Sequence, residues 1–184
     1  MARTETIDTP VGGYAPDFEL PGIHNQVHHL RRYLENFRVV GVIFMCHNCP
    51  YVNLYLNRLK EIQAEFQADG FILIGINASD HTGFPGNNLE SMKVFAENHQ
   101  LSFPYLWDST QDVSRSFGAI ATPMAFLVDS HGILRYRGQI DNHPHEPLGT
   151  GEDYLRNAIA ALFKGEEITT PETEPVGTSI IWRI

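Results

Sequence analysis

Val39-Val40-Gly41-Val42-Ile43-Phe44-Met45 is apolar at every position, so it presents no polar face to water. A β-branched run of this kind is expected of a strand covered on both sides. From Tyr51 to Gln67 the pattern changes: Val52, Tyr55, Leu56, Leu59, Ile62 and Phe66 recur at spacings of three and four, which predicts a helix stopped by Asp69-Gly70. Phe71-Ile72-Leu73-Ile74-Gly75-Ile76 then reads as a second buried strand. Strand, helix and strand form a β-α-β unit, whose crossover is expected to be right-handed and whose sheet is at least partly parallel.

A loop carrying His81, Gly83, Phe84, Pro85 and Gly86 leads to a helix over residues 89–98, with Asn87 or Asn88 as its cap. A short helix is expected over 111–117. Met124–Val128, the turn Asp129-Ser130-His131-Gly132 and Ile133–Arg137 predict an antiparallel hairpin, and residues 152–163 a final amphipathic helix. Before these, residues 11–37 mix Gly, Pro and His with isolated apolar positions (Phe18, Leu20, Ile23, Val27, Leu30), a pattern of short strands or hairpins without obvious chemistry. After Gly165, Pro171 and Pro175 rule out a helix. The tail is expected to be an extended strap pinned by Ile181 or Trp182. The 184 residues suit one domain, with an extension at 11–37, a core at 38–164 and a tail at 165–184.

Charge and composition narrow the partners. With 22 acidic against 13 basic side chains the net charge is −9, and no Lys/Arg cluster exceeds Arg31-Arg32, so nucleic acid is not expected. Residues 1–10 carry no apolar stretch of signal-peptide length, and no segment approaches the roughly 18 apolar residues of a membrane span. No membrane partner is expected, and a reducing cytoplasm is the expected location. In such a compartment structural disulfides are uncommon.

That changes the meaning of Cys46-His47-Asn48-Cys49, which holds the only two cysteines of the chain and lies where the first apolar run meets the first helix. A CxxC pair in a reducing compartment is more often catalytic or metal-binding than a staple. Pro50 is tolerated only in the first helical turn, so the cap is His47, Asn48 or Cys49, and Asn48 is the best capping type of the three. Cys46 is then expected just outside the first turn as the exposed nucleophile, with Cys49 as the more buried resolving thiol. A free thiol with a pKa of about 8.5 is only roughly 3% ionised at neutral pH. A helix end supplies about 0.3–1 kcal/mol, under one pKa unit, so a neighbouring S–H donor or a protonated His47 is needed for the rest. The plainer reading of His47 is a solvent-facing spacer.

The second informative element is Ala121-Thr122-Pro123-Met124, directly before a predicted strand. Strand, CxxC, helix, strand, helix, Thr-Pro, hairpin, helix is an order that resembles the thioredoxin superfamily, an α/β fold with a central mixed sheet flanked by helices. The resemblance implies that Pro123 is cis and lies against the dithiol, and that the Thr122 backbone offers β-type hydrogen bonds to a bound peptide or thiol substrate. Ala15-Pro16-Asp17-Phe18-Glu19-Leu20-Pro21-Gly22 resembles the opening of peroxiredoxin-like, AhpC/TSA-type redoxins, and residues 126–135 resemble their penultimate hairpin. Closest is the group carrying CxxC followed by Pro and an extended C-terminal tail, a likeness covering residues 11–182.

Peroxiredoxins surround the peroxide-reactive cysteine with a proline seven residues earlier, a threonine or serine three earlier, and a distant arginine. Aligned on Cys49, the first two slots hold Val42 and Cys46, and aligning the hairpins puts Pro123 in the third. Without hydroxyl and guanidinium the departing peroxide oxygen lacks its usual donors. Thiol–disulfide exchange through Cys46 and Cys49 is therefore expected, with a thiol-dependent peroxidase using Cys49 as the alternative. No cofactor beyond the redox-active disulfide is expected, and the implied partners are a protein or small-molecule thiol or disulfide and an upstream reductant. Relatives often carry cysteines near Thr-Pro and in the tail; here Ala121 and Thr178 stand there, so no relay through a third thiol is available. Strand 39–45 also lacks a match for the buried carboxylate of thioredoxin.

Two other classes rank lower. The two cysteines and nine histidines suggest a mixed sulfur and nitrogen metal site, with His143-Pro144-His145 the most suggestive pair and His24, His28 and His29 less so, but a lone HxH has little specificity. A histidine near Thr122-Pro123, found in copper-delivery relatives of the fold, is missing. A non-enzymatic adaptor would be marked by loss of a cysteine, and neither is lost; Phe84 and Trp107 are the aromatics that would then belong to a binding rim.

Overall fold

The computed structural model describes residues 9–79, 88–146 and 149–183. The elements in order are β1 (Glu19–Pro21), β2 (Val27–His29), α1 (Leu30–Asn36), β3 (Val39–Phe44), α2 (Pro50–Phe66), β4 (Phe71–Asn77), α3 (Leu89–Asn98), β5 (Tyr105–Trp107), α4 (Asp112–Phe117), β6 (Ala121–Thr122), β7 (Met124–Asp129), β8 (Leu134–Gly138), α5 (Tyr154–Lys164) and β9 (Thr178–Ser179). Five strands form one mixed sheet in the order β5-β4-β3-β7-β8. β3, β4 and β5 run parallel, and β7 and β8 are antiparallel additions on the other side of β3.

β3 is central, and all six of its residues are buried. Alternation along it divides the core. Val39 and Ile43 face one layer with Leu127 of β7, Val52 and Leu59 of α2, Met92 of α3, and Leu155 and Ile159 of α5. Val40, Val42 and Phe44 face the other, with Leu30 of α1, Phe117 of α4 and Phe126 of β7. The sheet is thus sandwiched between helices, which explains why its central strands read as continuous apolar runs.

The predicted helices and hairpin form within a residue or two of their expected bounds. Asn88 caps α3 by accepting from the Ser91 N–H, while the Ser91 hydroxyl accepts from the Asn88 N–H. α1 is an addition to the expected strands of residues 11–37; it is short and buries only Leu30, so periodicity gives it no signal. The expected loop at His81, Gly83, Phe84, Pro85 and Gly86, and Asn87 as an alternative cap, lie outside the described residues.

Register positions the site. Phe44, the last residue of β3, pairs with Met124, the first of β7. The chain leaving β3 through Met45 to Cys49 therefore runs beside the chain entering β7 through Thr122-Pro123. The Thr122–Pro123 peptide is cis.

The tail is an extended strap, but its anchor differs from expectation. Ile180 is buried in the second layer, whereas Ile181 is 66% exposed. Trp182 packs partly against the same layer, with the Arg115 guanidinium 4.5 Å above its ring. The strap pairs: β9 runs antiparallel to β6, with Thr178 opposite Thr122 and Ser179 opposite Ala121. Among the described residues no helix is long and apolar enough to cross a membrane.

Candidate functional site: a dithiol beside Thr122-Pro123

Cys46 and Cys49 are free thiols that lie 4.3 Å apart at the C-terminal end of β3. Cys49 is 1% exposed and Cys46 half-buried, so Cys46 is the more accessible sulfur. The N-cap of α2 is Cys49 rather than Asn48, with Pro50 at the first helical position. The fixed φ of proline suits that position, and this backbone preference outweighs the capping preference of the Asn48 side chain. Asn48 is exposed.

Hydroxyls converge on both sulfurs. The Thr122 Oγ1 is 3.5 Å from the Cys46 Sγ. The Cys49 Sγ is 3.1 Å from the Thr178 Oγ1 and, as a neutral thiol, donates to the Thr122 carbonyl at 3.2 Å. The two thiols also share a proton, because ionising one makes ionising its neighbour harder. The surroundings favour ionisation of Cys49 over that of Cys46. The neighbouring Cys46 thiol, 4.3 Å away, holds the Cys49 pKa well below the ordinary thiol range, against the opposing effect of burial, with help from the Thr178 and Thr122 hydroxyls and the Val52 backbone N–H. Cys46 is pushed up, first by its neighbour Cys49 and then by burial, while the hydroxyls of Thr122 and Ser79 pull it back. The neighbouring thiol and the hydroxyls, more than the helix start, thus favour charge on the resolving position.

His47 is neither a cation nor a solvent-facing spacer. Its ring lies 5.8 Å from that of Phe95 on α3, its Nδ1 is buried, and burial lowers its pKa, which disfavours the charge it would share with the thiols. Beneath the site Tyr105, fully buried on β5, donates to the Met45 carbonyl at 3.2 Å. Its pKa is raised well above the ordinary value, mainly by burial and further by proximity to Cys46.

The structure brings Cys46, Cys49, Thr122 and Pro123 together, with Pro50 opening the helix behind them. Sequence reasoning missed Ser79 and Tyr105, and it singled out Thr178 only as a place where a cysteine was missing. The one available signal was that a hydroxyl stood there instead.

The histidine pair separates. His145 is exposed, whereas the His143 Nε2 lies 2.8 Å from Asp153 and 3.9 Å from Asp141. The three donors fall within 4.8 Å of one another, and Asp141 is held by Arg58 at 2.6 Å. That pairing makes the cluster a charge network tying α2 to the start of α5. Among the described residues neither cysteine joins a group of three such donors. His28 bonds the Tyr33 hydroxyl at 2.6 Å. Of the rim aromatics, Trp107 packs against the first core layer and Phe84 lies outside the described residues.

Known proteins resemble this chain across the same region. It is 28% identical over 137 residues to the thiol-disulfide oxidoreductase ResA of Geobacillus kaustophilus, covering 72% of this chain and 71% of that one. It is 28% identical over 102 residues to the thiol:disulfide interchange protein DsbE of Escherichia coli K12, spanning 54% of this chain and only 46% of that relative. The crystal structure of a hypothetical protein from Sinorhizobium meliloti 1021 superposes with a TM-score of 0.87 at 29% identity, covering 96% of each chain. Solved neighbours such as these have the thioredoxin fold expected from the order of elements. Residues 11–137, which include the dithiol, Thr122-Pro123 and all but the last residue of the β7–β8 hairpin, match the AhpC/TSA family, and the chain belongs to that family.

Proposed function

We propose that the protein is a thiol–disulfide oxidoreductase in which Cys46 attacks and Cys49 resolves. The carrying observation is a pair of adjacent free thiols, one partly exposed and one 1% exposed, set among hydroxyl groups. Cys49, the thiol whose ionisation the surroundings favour, takes the proton of Cys46 as Cys46 attacks a substrate disulfide. The Cys46–substrate S–S bond forms, the substrate S–S bond breaks, and one thiolate leaves. Cys49 gives up its proton and attacks the Cys46 sulfur, the intramolecular disulfide closes, and the second substrate thiolate departs. The substrate gains two electrons and one proton from the dithiol, the second proton comes from solvent, and an upstream reductant restores the dithiol. The relatives ResA and DsbE are named for this class of chemistry.

One observation favours peroxidase chemistry as a second reading: beside Cys49, the peroxidatic position, Thr178 supplies a hydroxyl 3.1 Å from the sulfur that the sequence pattern lacks. Against it, Cys49 is the enclosed sulfur, and the arginine slot holds Pro123. A redox titration with mass-resolved alkylation, run beside disulfide-reduction and peroxide-consumption assays, separates the two. Cys46→Ser is expected to abolish disulfide reduction and Cys49→Ser to trap a mixed disulfide on Cys46. Rapid peroxide turnover that survives Cys46→Ser and is lost with Cys49→Ser refutes the assignment.

A further inference from the structure

The strap is held as a bound peptide is held. β9 adds to the backbone edge of β6, the Ile180 N–H donates to the Ile120 carbonyl at 3.0 Å, and the Ile180 side chain enters the second core layer. Buried Gln111 brackets the next residues through their main chain, donating to the Ile181 carbonyl at 2.9 Å and accepting from the Arg183 N–H at 2.8 Å. Edge pairing, one apolar pocket and a side-chain amide reading backbone are the means by which proteins capture extended polypeptide. The Thr178 and Ser179 side chains are themselves exposed.

The edge so occupied belongs to Thr122, whose hydroxyl lies 3.5 Å from the Cys46 sulfur and whose carbonyl lies 3.2 Å from that of Cys49. An extended chain aligning its disulfide with Cys46 by pairing to this edge meets β9 already there. A small disulfide needs no such pairing and has only to reach the partly exposed Cys46.

We propose that the C-terminal strap is an internal occupant of the polypeptide groove beside the dithiol: with the strap seated the protein reduces small-molecule disulfides, and polypeptide disulfides react only from the fraction of molecules whose strap has lifted. This rests on the oxidoreductase reading above and adds its substrate class.

Two full-length variants lift the strap by different means. A Cβ on residue 177 would stand 2.2 Å from the Thr122 carbonyl oxygen, so Gly177→Val forces the strands apart. Ile180→Asp places a carboxylate in an apolar pocket. Release is read by loss of amide-exchange protection at residue 180, and reduction is timed on bis(2-hydroxyethyl) disulfide and on insulin. Reactivity from a minor state scales with its population, so the insulin rate relative to the small-disulfide rate is expected to rise about tenfold in both variants. An unchanged ratio with residue 180 deprotected overturns the role of the strap and leaves the oxidoreductase reading intact. Failure of the parent and both variants to reduce either disulfide overturns both readings.

Discussion

Replacing Thr178 by Val tests whether the strap tunes the dithiol. Valine keeps the β-branched shape and the backbone pairing with Thr122, and removes only the hydroxyl 3.1 Å from the Cys49 sulfur. A hydrogen bond to a charged partner contributes about 1.5–3 kcal/mol. Thr178 is exposed, so water competes and the lower end applies, about 1.5 kcal/mol, or about one pKa unit. The change has a definite sign: the hydroxyl favours the ionised form of Cys49, so its loss raises the pH at which the pair loses its first proton. Ultraviolet thiolate absorbance of the reduced protein, titrated against pH, reads this directly, and Thr178→Ser should stay close to the parent because it restores the donor. A Thr178→Val midpoint equal to or below that of the parent refutes the claim that the tail acts on Cys49.

Three further outcomes are expected. Arg58→Met leaves the carboxylate of Asp141, which is only 3% exposed, without its guanidinium and should destabilise the fold by about 3–5 kcal/mol in urea denaturation; adding Asp141→Leu should recover most of the loss. The His143 pKa is raised because its bonds to the Glu146 carbonyl and Asp153, together with the nearby Asp141 charge, outweigh the effect of burial. Its contribution is therefore fully present below the unfolded histidine pKa of about 6.5 and lost as pH rises through the folded value, so the melting-temperature deficit of His143→Ala should be largest in mild acid and shrink toward alkaline pH. Asn88→Ala removes the cap and half the capping box of α3 and should cost about 1 kcal/mol, measured by chemical denaturation.

Local code and tertiary contact divide the molecule unevenly. β3, β4 and α2 were legible because hydrophobic periodicity records which faces are buried, and β3, buried on both faces, leaves the clearest trace. The dithiol and Thr122-Pro123 were legible for a different reason: they are short, chemically distinctive strings placed at the junctions of those elements. The helix start was only half legible, since both Asn48 and Pro50 carry local preferences and the outcome depended on which prevailed.

Side-chain orientation and long-range pairing were decided by the folded protein alone. Whether His47 faces solvent or Phe95 depends on where α3 packs, which no feature near residue 47 specifies. The choice of Ile180 over Ile181 as the anchor is a matter of register, because a slip of one residue in an extended strand turns each side chain to the opposite face. Thr178 and Cys49 are 129 residues apart, so their contact exists only once β9 has found β6. The sequence by itself determined that a dithiol stands at the end of a buried strand and what class of chemistry two such thiols perform. Only the tertiary structure decided which sulfur is enclosed and what covers the edge beside it, because both depend on contacts between groups far apart in the chain.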